Sequence, residues 1–186
     1  MTTVTTRDRL RRILSENALI RESVLLSSGR RSEYYFDARQ VLLDPEGAAL
    51  SGALAWELLA PRAPAAVGGL TLGADPLVCA ASAAAWADGT RCTGFFVRKE
   101  AKKHGLQQWI EGPFLEEGTP VAVVDDVLTS GGSLAIAIEK ARQAGGVVVA
   151  ALVVIDREEG GREAVEPLLD GAPLHALFTA SELLAA

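Results

Sequence analysis

Cysteine is scarce, with Cys79 and Cys92 the only two in 186 residues. Their spacing is not that of a metal site, and two histidines add little, which argues against a disulfide framework and a zinc centre. Reduced, buried thiols in a cytoplasmic protein are the expectation. No apolar run approaches the ~18 residues that span a bilayer. The first residues are rich in Thr and Arg without an apolar core, so no secretory signal is expected. Positive charge is also short: the net charge is −6, which argues against a basic nucleic-acid-binding face. The sequence shows neither an internal repeat nor a low-complexity tail. What remains is 49% apolar and of average charge, as in a soluble globular chain long enough for one self-sufficient core.

The most informative stretch runs from Val121 to Ser133, Val-Ala-Val-Val-Asp-Asp-Val-Leu-Thr-Ser-Gly-Gly-Ser. Val121 to Val124 reads as a strand buried on both faces. Asp125 and Asp126 follow, then a loop of Thr129, Ser130, Gly131, Gly132 and Ser133, then a helical run from Leu134 to Ala144. A small-residue loop entering a helix presents several backbone N–H groups in one direction, a cradle for phosphate. The acidic pair repels phosphate and suits ribose hydroxyls or a cation beside them. Together these features suggest a ribose 5-phosphate site. The alternative is a plain strand-turn-helix connection with a Ser or Thr cap and solvated carboxylates. No Gly-Lys-Ser/Thr follows and no Gly-x-Gly-x-x-Gly is present here, so triphosphatase and dinucleotide motifs are absent.

Elsewhere, Thr5 with Asp8 predicts a capping box ahead of a first amphipathic helix. Val24 to Asp37 reads as a hairpin that turns at residues 27–30 and returns through Tyr34-Tyr35-Phe36. Asp44-Pro45 predicts a helix start, with the helix running to about Ala60. Residues 67–76 hold three glycines, Gly68, Gly69 and Gly73, which predict a tight backbone bend beside a ligand, and an Ala-rich helix follows from Pro76. Thr93 to Val97 reads as a strand feeding Arg98-Lys99-Glu100-Ala101-Lys102-Lys103-His104-Gly105. That segment carries four cations and one carboxylate, a local +3 on an acidic chain. It reads either as a solvated charged face or as a cationic arm that closes over a polyanion. Val147 to Ile155 predicts a buried strand with Asp156-Arg157 at its carboxyl end, where open α/β sheets bind ligands. A polar turn (158–161), a short helix (162–169), an edge strand from Leu174 to Phe178 and a terminal helical turn from Ser181 complete the reading. Alternating strands and helices predict a parallel sheet covered on both faces.

The stretch from Val121 to Ser133 resembles the phosphoribosyl pyrophosphate (PRPP) signature of type I phosphoribosyltransferases. Arg-Lys-Glu-x-Lys-x-His-Gly at Arg98 to Gly105 resembles the mobile catalytic loop of orotate phosphoribosyltransferases. The segment Ser28 to Phe36 is similar to that family's orotate-contact segment, and Asp156-Arg157 to its carboxylate-binding arginine. The resemblance covers roughly residues 10 to 180. It implies one domain of the type I phosphoribosyltransferase fold, a central mostly parallel sheet flanked by helices, with a small N-terminal hood at about residues 1–40. It further implies transfer of the 5-phosphoribosyl group from PRPP to orotate, giving orotidine 5′-monophosphate and pyrophosphate in pyrimidine biosynthesis. On this resemblance Asp125 and Asp126 hold the ribose hydroxyls, and Val127, Leu128, Thr129, Ser130, Gly131, Gly132 and Ser133 complete the PRPP loop. Arg98, Lys99, Lys102 and His104 steady the departing pyrophosphate. Thr129, Arg157 and the Tyr35-Phe36 backbone orient orotate. Mg²⁺ is implied as cofactor, held chiefly by PRPP and water rather than by protein ligands. A cytoplasmic homodimer with shared active sites is implied too, without nucleic-acid or membrane partners.

Two positions depart from the family pattern. Ser27 stands where many members have lysine, and Thr71-Leu72 where many have Tyr-Lys, so two cations are missing. A shorter branch of the family shares the Gly-Gly-Leu-Thr-Leu-Gly-Ala-Asp-Pro form. The alternatives are a phosphoribosyltransferase for another base and a non-catalytic regulator that binds PRPP or a nucleotide.

Overall fold

Thr5 opens the first helix as the sequence predicts: its side chain accepts from the Asp8 N–H while the Asp8 carboxylate takes the Thr5 N–H. The computed structural model describes residues 5–21, 24–25, 31–100, 109–113 and 115–185. Helix α1 (Thr6–Asn17) buries Leu10, Ile13 and Leu14. Four two-residue strands follow in the hood: β1 (Leu19–Ile20), β2 (Val24–Leu25), β3 (Arg31–Ser32) and β4 (Tyr35–Phe36). Strands β2 and β3 form the expected hairpin, whose turn at residues 27–30 is outside the described residues. The aromatic segment does not belong to it: β4 pairs antiparallel with β1, Leu19 opposite Phe36. Phe36 is a core residue there, which stops the chain from running straight on as a hairpin arm. A short α2 (Arg39–Leu42) leads to α3 (Pro45–Leu59), where Asp44 caps the N–H groups of Glu46 and Gly47 and Pro45 sits in the first turn.

The central sheet contains β5 (Ala66–Leu70), β6 (Thr93–Val97), β7 (Ile110–Glu111), β8 (Thr119–Leu128), β9 (Gly146–Asp156) and β10 (Leu174–Thr179). Their spatial order is β10-β9-β8-β5-β6-β7, and all pairings are parallel except β6 with β7. Helix α4 (Asp75–Ala87) crosses from β5 to β6, and α5 (Gly132–Gln143) from β8 to β9. After β9 come α6 (Gly161–Val165), a 3-10 turn (Glu166–Leu169), β10 and α7 (Ala180–Leu184).

Two apolar layers cover the sheet. Leu152 and Val154 pack in one layer with α1, α3, α4, Phe36 of β4, and Val41 and Leu42 of α2. Val148, Ala151 and Val153 face Leu134, Ile138 and Ala141 of α5. Truncating one of the fully buried leucines, such as Leu152, to Ala costs about 2–5 kcal/mol. The register between β8 and β9 slips at one point: Val121 faces Val148, but Ala122 faces Ala150, so Val149 is an extra residue. That bulge lets Val148 serve one layer and Ala150 the other, although they are two apart.

Two expectations are corrected. The strand does not end at Val124 but continues through both aspartates to Leu128. Each carboxylate accepts from the next backbone N–H, Asp125 Oδ1 from Asp126 at 3.0 Å and Asp126 Oδ1 from Val127 at 2.8 Å. Pairing with β9 continues on the other side, Asp125 opposite Val153. Gly68 and Gly69 likewise lie in a strand, β5, rather than in a bend. A Cβ on Gly68 would stand 2.3 Å from the Phe95 ring, and one on Gly69 2.1 Å from the Val124 carbonyl oxygen. These glycines serve close strand packing, and only Gly73 is in the loop.

Candidate active site

Because β5, β6, β8 and β9 are parallel, their carboxyl ends and the segments that follow them lie along one edge. The Thr71 N–H donates to the Val97 carbonyl (2.8 Å), and the Arg157 N–H to that of Leu128 (2.9 Å), which ties the strand ends together. The turn after β5 brings Gly73 against the acidic pair: a Cβ there would meet Asp126 Oδ1 at 2.6 Å. Asp125 is buried and Asp126 half-buried. Burial pushes the Asp125 carboxyl well above the ordinary carboxylate range, repulsion from Asp126 adds to this, and the Lys99 cation pulls part of it back. The exposed Lys99 therefore acts electrostatically on Asp125 from just past the end of β6.

Residues Thr129 to Gly131 form the turn into α5, and Gly131 caps that helix with φ of 82°. A Cβ at Gly131 would lie 2.6 Å from Val165 Cγ2 and 3.0 Å from the Gly161 carbonyl oxygen, so α6 closes on the turn only because it is glycine. No side chain caps α5 and its first turn has no acid, leaving an N-terminus electrostatically suited to an anion. Ser130, Gly132 and Ser133 are exposed, Thr129 and Val127 half-buried, and Leu128 is a core residue.

Arg98 is half-exposed and ion-paired with Glu111 of β7 at 2.7 Å, and its backbone N–H donates to Trp109. Lys102 and His104 lie outside the described residues. Arg157 is buried, its guanidinium 2.7 Å from Glu159 Oε1 and its Cζ 4.9 Å from the Tyr34 ring centroid. Tyr35 is half-buried, while Phe36 packs its ring edge-on to Tyr34 in the core.

Several neighbours carry no site signal of their own in the sequence. Tyr34 and Glu159 flank Arg157. Arg39 pairs with Asp37 at 2.8 Å, and its pKa is raised first by that hydrogen bond, with a smaller contribution from Asp126. The segment after β4 thus sets Arg39 within electrostatic reach of Asp126. Asp75, in the first turn of α4, has one oxygen buried without a hydrogen-bond partner among the described residues, and burial raises its pKa. An acid directly before a proline at a helix start reads as capping in sequence, which conceals such a position.

Among the described residues no three His, Cys, Asp or Glu stand together to hold a metal, and no helix is long and apolar enough to cross a membrane. Chemically, the edge offers hydroxyl acceptors, an anion cradle and cations side by side.

No family model matches the chain. It is 44% identical over 181 residues to the orotate phosphoribosyltransferase of Aquifex aeolicus, covering 96% of this chain and 97% of that one. It superposes on the orotate phosphoribosyltransferase of Mycobacterium tuberculosis, crystallised with Fe(III) dicitrate, with a TM-score of 0.85 at 37% identity, covering 96% and 99% of the two chains. A structure of that enzyme in complex with PRPP gives a TM-score of 0.79 at 36% identity, with the same shares covered.

Proposed function

The chain belongs to the orotate phosphoribosyltransferase family, and from that membership we propose its reaction and the work of each residue in it. It transfers the 5-phosphoribosyl group of PRPP to N1 of orotate, giving orotidine 5′-monophosphate and pyrophosphate. The C1–O bond to pyrophosphate breaks, a C1–N1 bond forms with inversion, and N1 loses its proton. One observation carries the reading: Gly73, Lys99, the Asp125-Asp126 pair and the Gly131 turn meet at the carboxyl edge of the sheet, with Arg157 one strand away.

In this reading Asp125 and Asp126 accept hydrogen bonds from the ribose 2- and 3-hydroxyls. Residues 127–133 form the donor loop, with the amides and hydroxyls of 129–133 around the 5-phosphate. Lys99, Arg98, Lys102 and His104 offset charge that builds on the departing pyrophosphate, the largest catalytic contribution expected in such a reaction. Arg157 and Thr129, with the Tyr35-Phe36 backbone, orient orotate. Mg²⁺ would be held chiefly by PRPP oxygens and water, beside the carboxylates rather than by them. When bound, that ion supplies charge neutralisation at the diphosphate.

A homodimer with shared sites and a cytoplasmic location belong to the same reading. Helix α4 supports the dimer: after Asp75 it bears no charge, and Cys79, Ala83, Trp86 and Ala87 on its outer side are exposed, Trp86 at 73%. Helices apolar all round are normally covered.

The test is pyrophosphate release from PRPP and Mg²⁺ with each base in turn. Release with orotate, and not with adenine, hypoxanthine or uracil, is expected. Release with a purine instead would overturn the acceptor assignment, and PRPP binding without release under any base would mark a regulator.

A further inference from the structure

Arg157 enters the site already paired. Its side chain is 1% exposed, and its Nη2 lies 2.7 Å from Glu159 Oε1. The same nitrogen donates to the Tyr34 carbonyl at 3.4 Å, with the Tyr34 ring against the guanidinium. The turn bearing Glu159 is fixed at several points. Asp156 Oδ1 accepts from the Glu158 N–H at 2.9 Å, and Glu158 Oε2 from the Ser181 N–H at 2.9 Å. Asp156 Oδ2 takes Arg162 Nε at 3.1 Å. Glu158 itself sits at φ of 58°, a conformation that non-glycine residues adopt only when their surroundings hold them there. With the turn anchored, the moving part is the Glu159 side chain, 18% exposed and able to swing toward water.

We infer that Glu159 is a resident carboxylate which the acceptor's carboxylate displaces from Arg157, making it a specificity-determining residue. The inference rests on Arg157 being the carboxylate partner of orotate. A guanidinium buried this deeply is costly without an anion beside it, and Glu159 provides one before the acceptor arrives. Two carboxylates against one guanidinium repel each other, so the incoming one gains Arg157 only as Glu159 withdraws. A base without a carboxylate cannot drive the exchange and leaves the pair closed, which adds discrimination to the contacts made with the ring.

Steady-state kinetics of Glu159→Gln test this. KM for orotate is expected to fall about three- to ten-fold, on the scale of one partly buried charged contact. KM for PRPP holds, and orotate raises the melting temperature of the variant more than that of the wild type. An orotate KM that is unchanged or higher overturns the inference. Arg157→Gln separates the premise: if it raises orotate and PRPP KM alike, Arg157 is not the carboxylate partner. If it raises orotate KM selectively while Glu159→Gln lowers nothing, the exchange alone is wrong. Should Glu159→Gln not fold, Glu159→Asp, which keeps the charge and withdraws it by one methylene, is read by the same outcomes.

Discussion

Replacing Asp125 by Asn should strengthen the empty protein and weaken its hold on PRPP. Asn is nearly isosteric and keeps an oxygen to accept from the Asp126 N–H, so the strand is undisturbed. What disappears is a charge that burial and Asp126 both disfavour. A carboxyl whose folded pKa lies above its unfolded value gives stability that is full below the unfolded pKa, 3.8 for Asp, and lost as pH rises through the folded pKa. Asn is neutral throughout. The variant's stability margin over wild type should therefore widen from about pH 4 upward, by at most about 1.4 kcal/mol per pH unit, and level off above the folded pKa. Against this, a hydroxyl bonded to a charged acceptor is worth about 1.5–3 kcal/mol, so PRPP affinity should fall roughly ten- to a hundredfold. Urea unfolding from pH 4 to 8 without ligand, with PRPP titration at pH 8, measures both. A margin that is flat with pH, or a variant less stable than wild type at pH 8, would refute the reasoning about the buried charge. Unchanged PRPP affinity would remove Asp125 from the ribose site.

Gly131→Ala places a methyl 2.6 Å from Val165 Cγ2 at φ of 82°, and should cost about 1–3 kcal/mol while raising KM for PRPP; Val165→Ala should restore part of both in a double-mutant cycle. Lys102→Ala should lower turnover by orders of magnitude with an unchanged melting temperature, and normal turnover would remove the cationic arm from the mechanism. Burial pushes the Cys92 thiol up to about 11, so iodoacetamide at pH 8 should leave Cys92 unlabelled in the native protein and label it after denaturation, as located by peptide mass spectrometry.

Much of the fold is written locally. The capping box at Thr5, the Asp44-Pro45 start and the β-branched run into β9 are short-range signals, and the elements begin within a residue or two of where those signals place them. The sequence misreads what depends on partners distant in the chain. Asp125 and Asp126 look like loop residues by propensity, yet β9 beside them supplies ladder bonds that hold them in a strand. Gly68 and Gly69 look like a bend because the Phe95 ring and Val124 carbonyl that require them come much later in the chain. The donor half of the site is one contiguous stretch and legible for that reason. Around Arg157, the Tyr34 and Glu159 partners are chosen by a hood 123 residues away and by an anchored turn, neither of which leaves a spacing pattern.

The extra residue at Val149 has a consequence for distance along the sheet. Upstream of it β9 runs in step with β8; downstream it carries one residue more, and that offset persists until Leu128 and Asp156 lie side by side. The bulge thus works as a vernier between the strand that bears the acids and the strand that delivers Arg157. Deleting Val149 would leave β9 a choice between two errors. It could keep its tips aligned and turn Val148 out of its layer, or keep Val148 seated and pull the arginine back by one residue rise, about 3.3 Å. The gauge of the cleft is therefore set some way down the sheet, by a residue that lines no part of it.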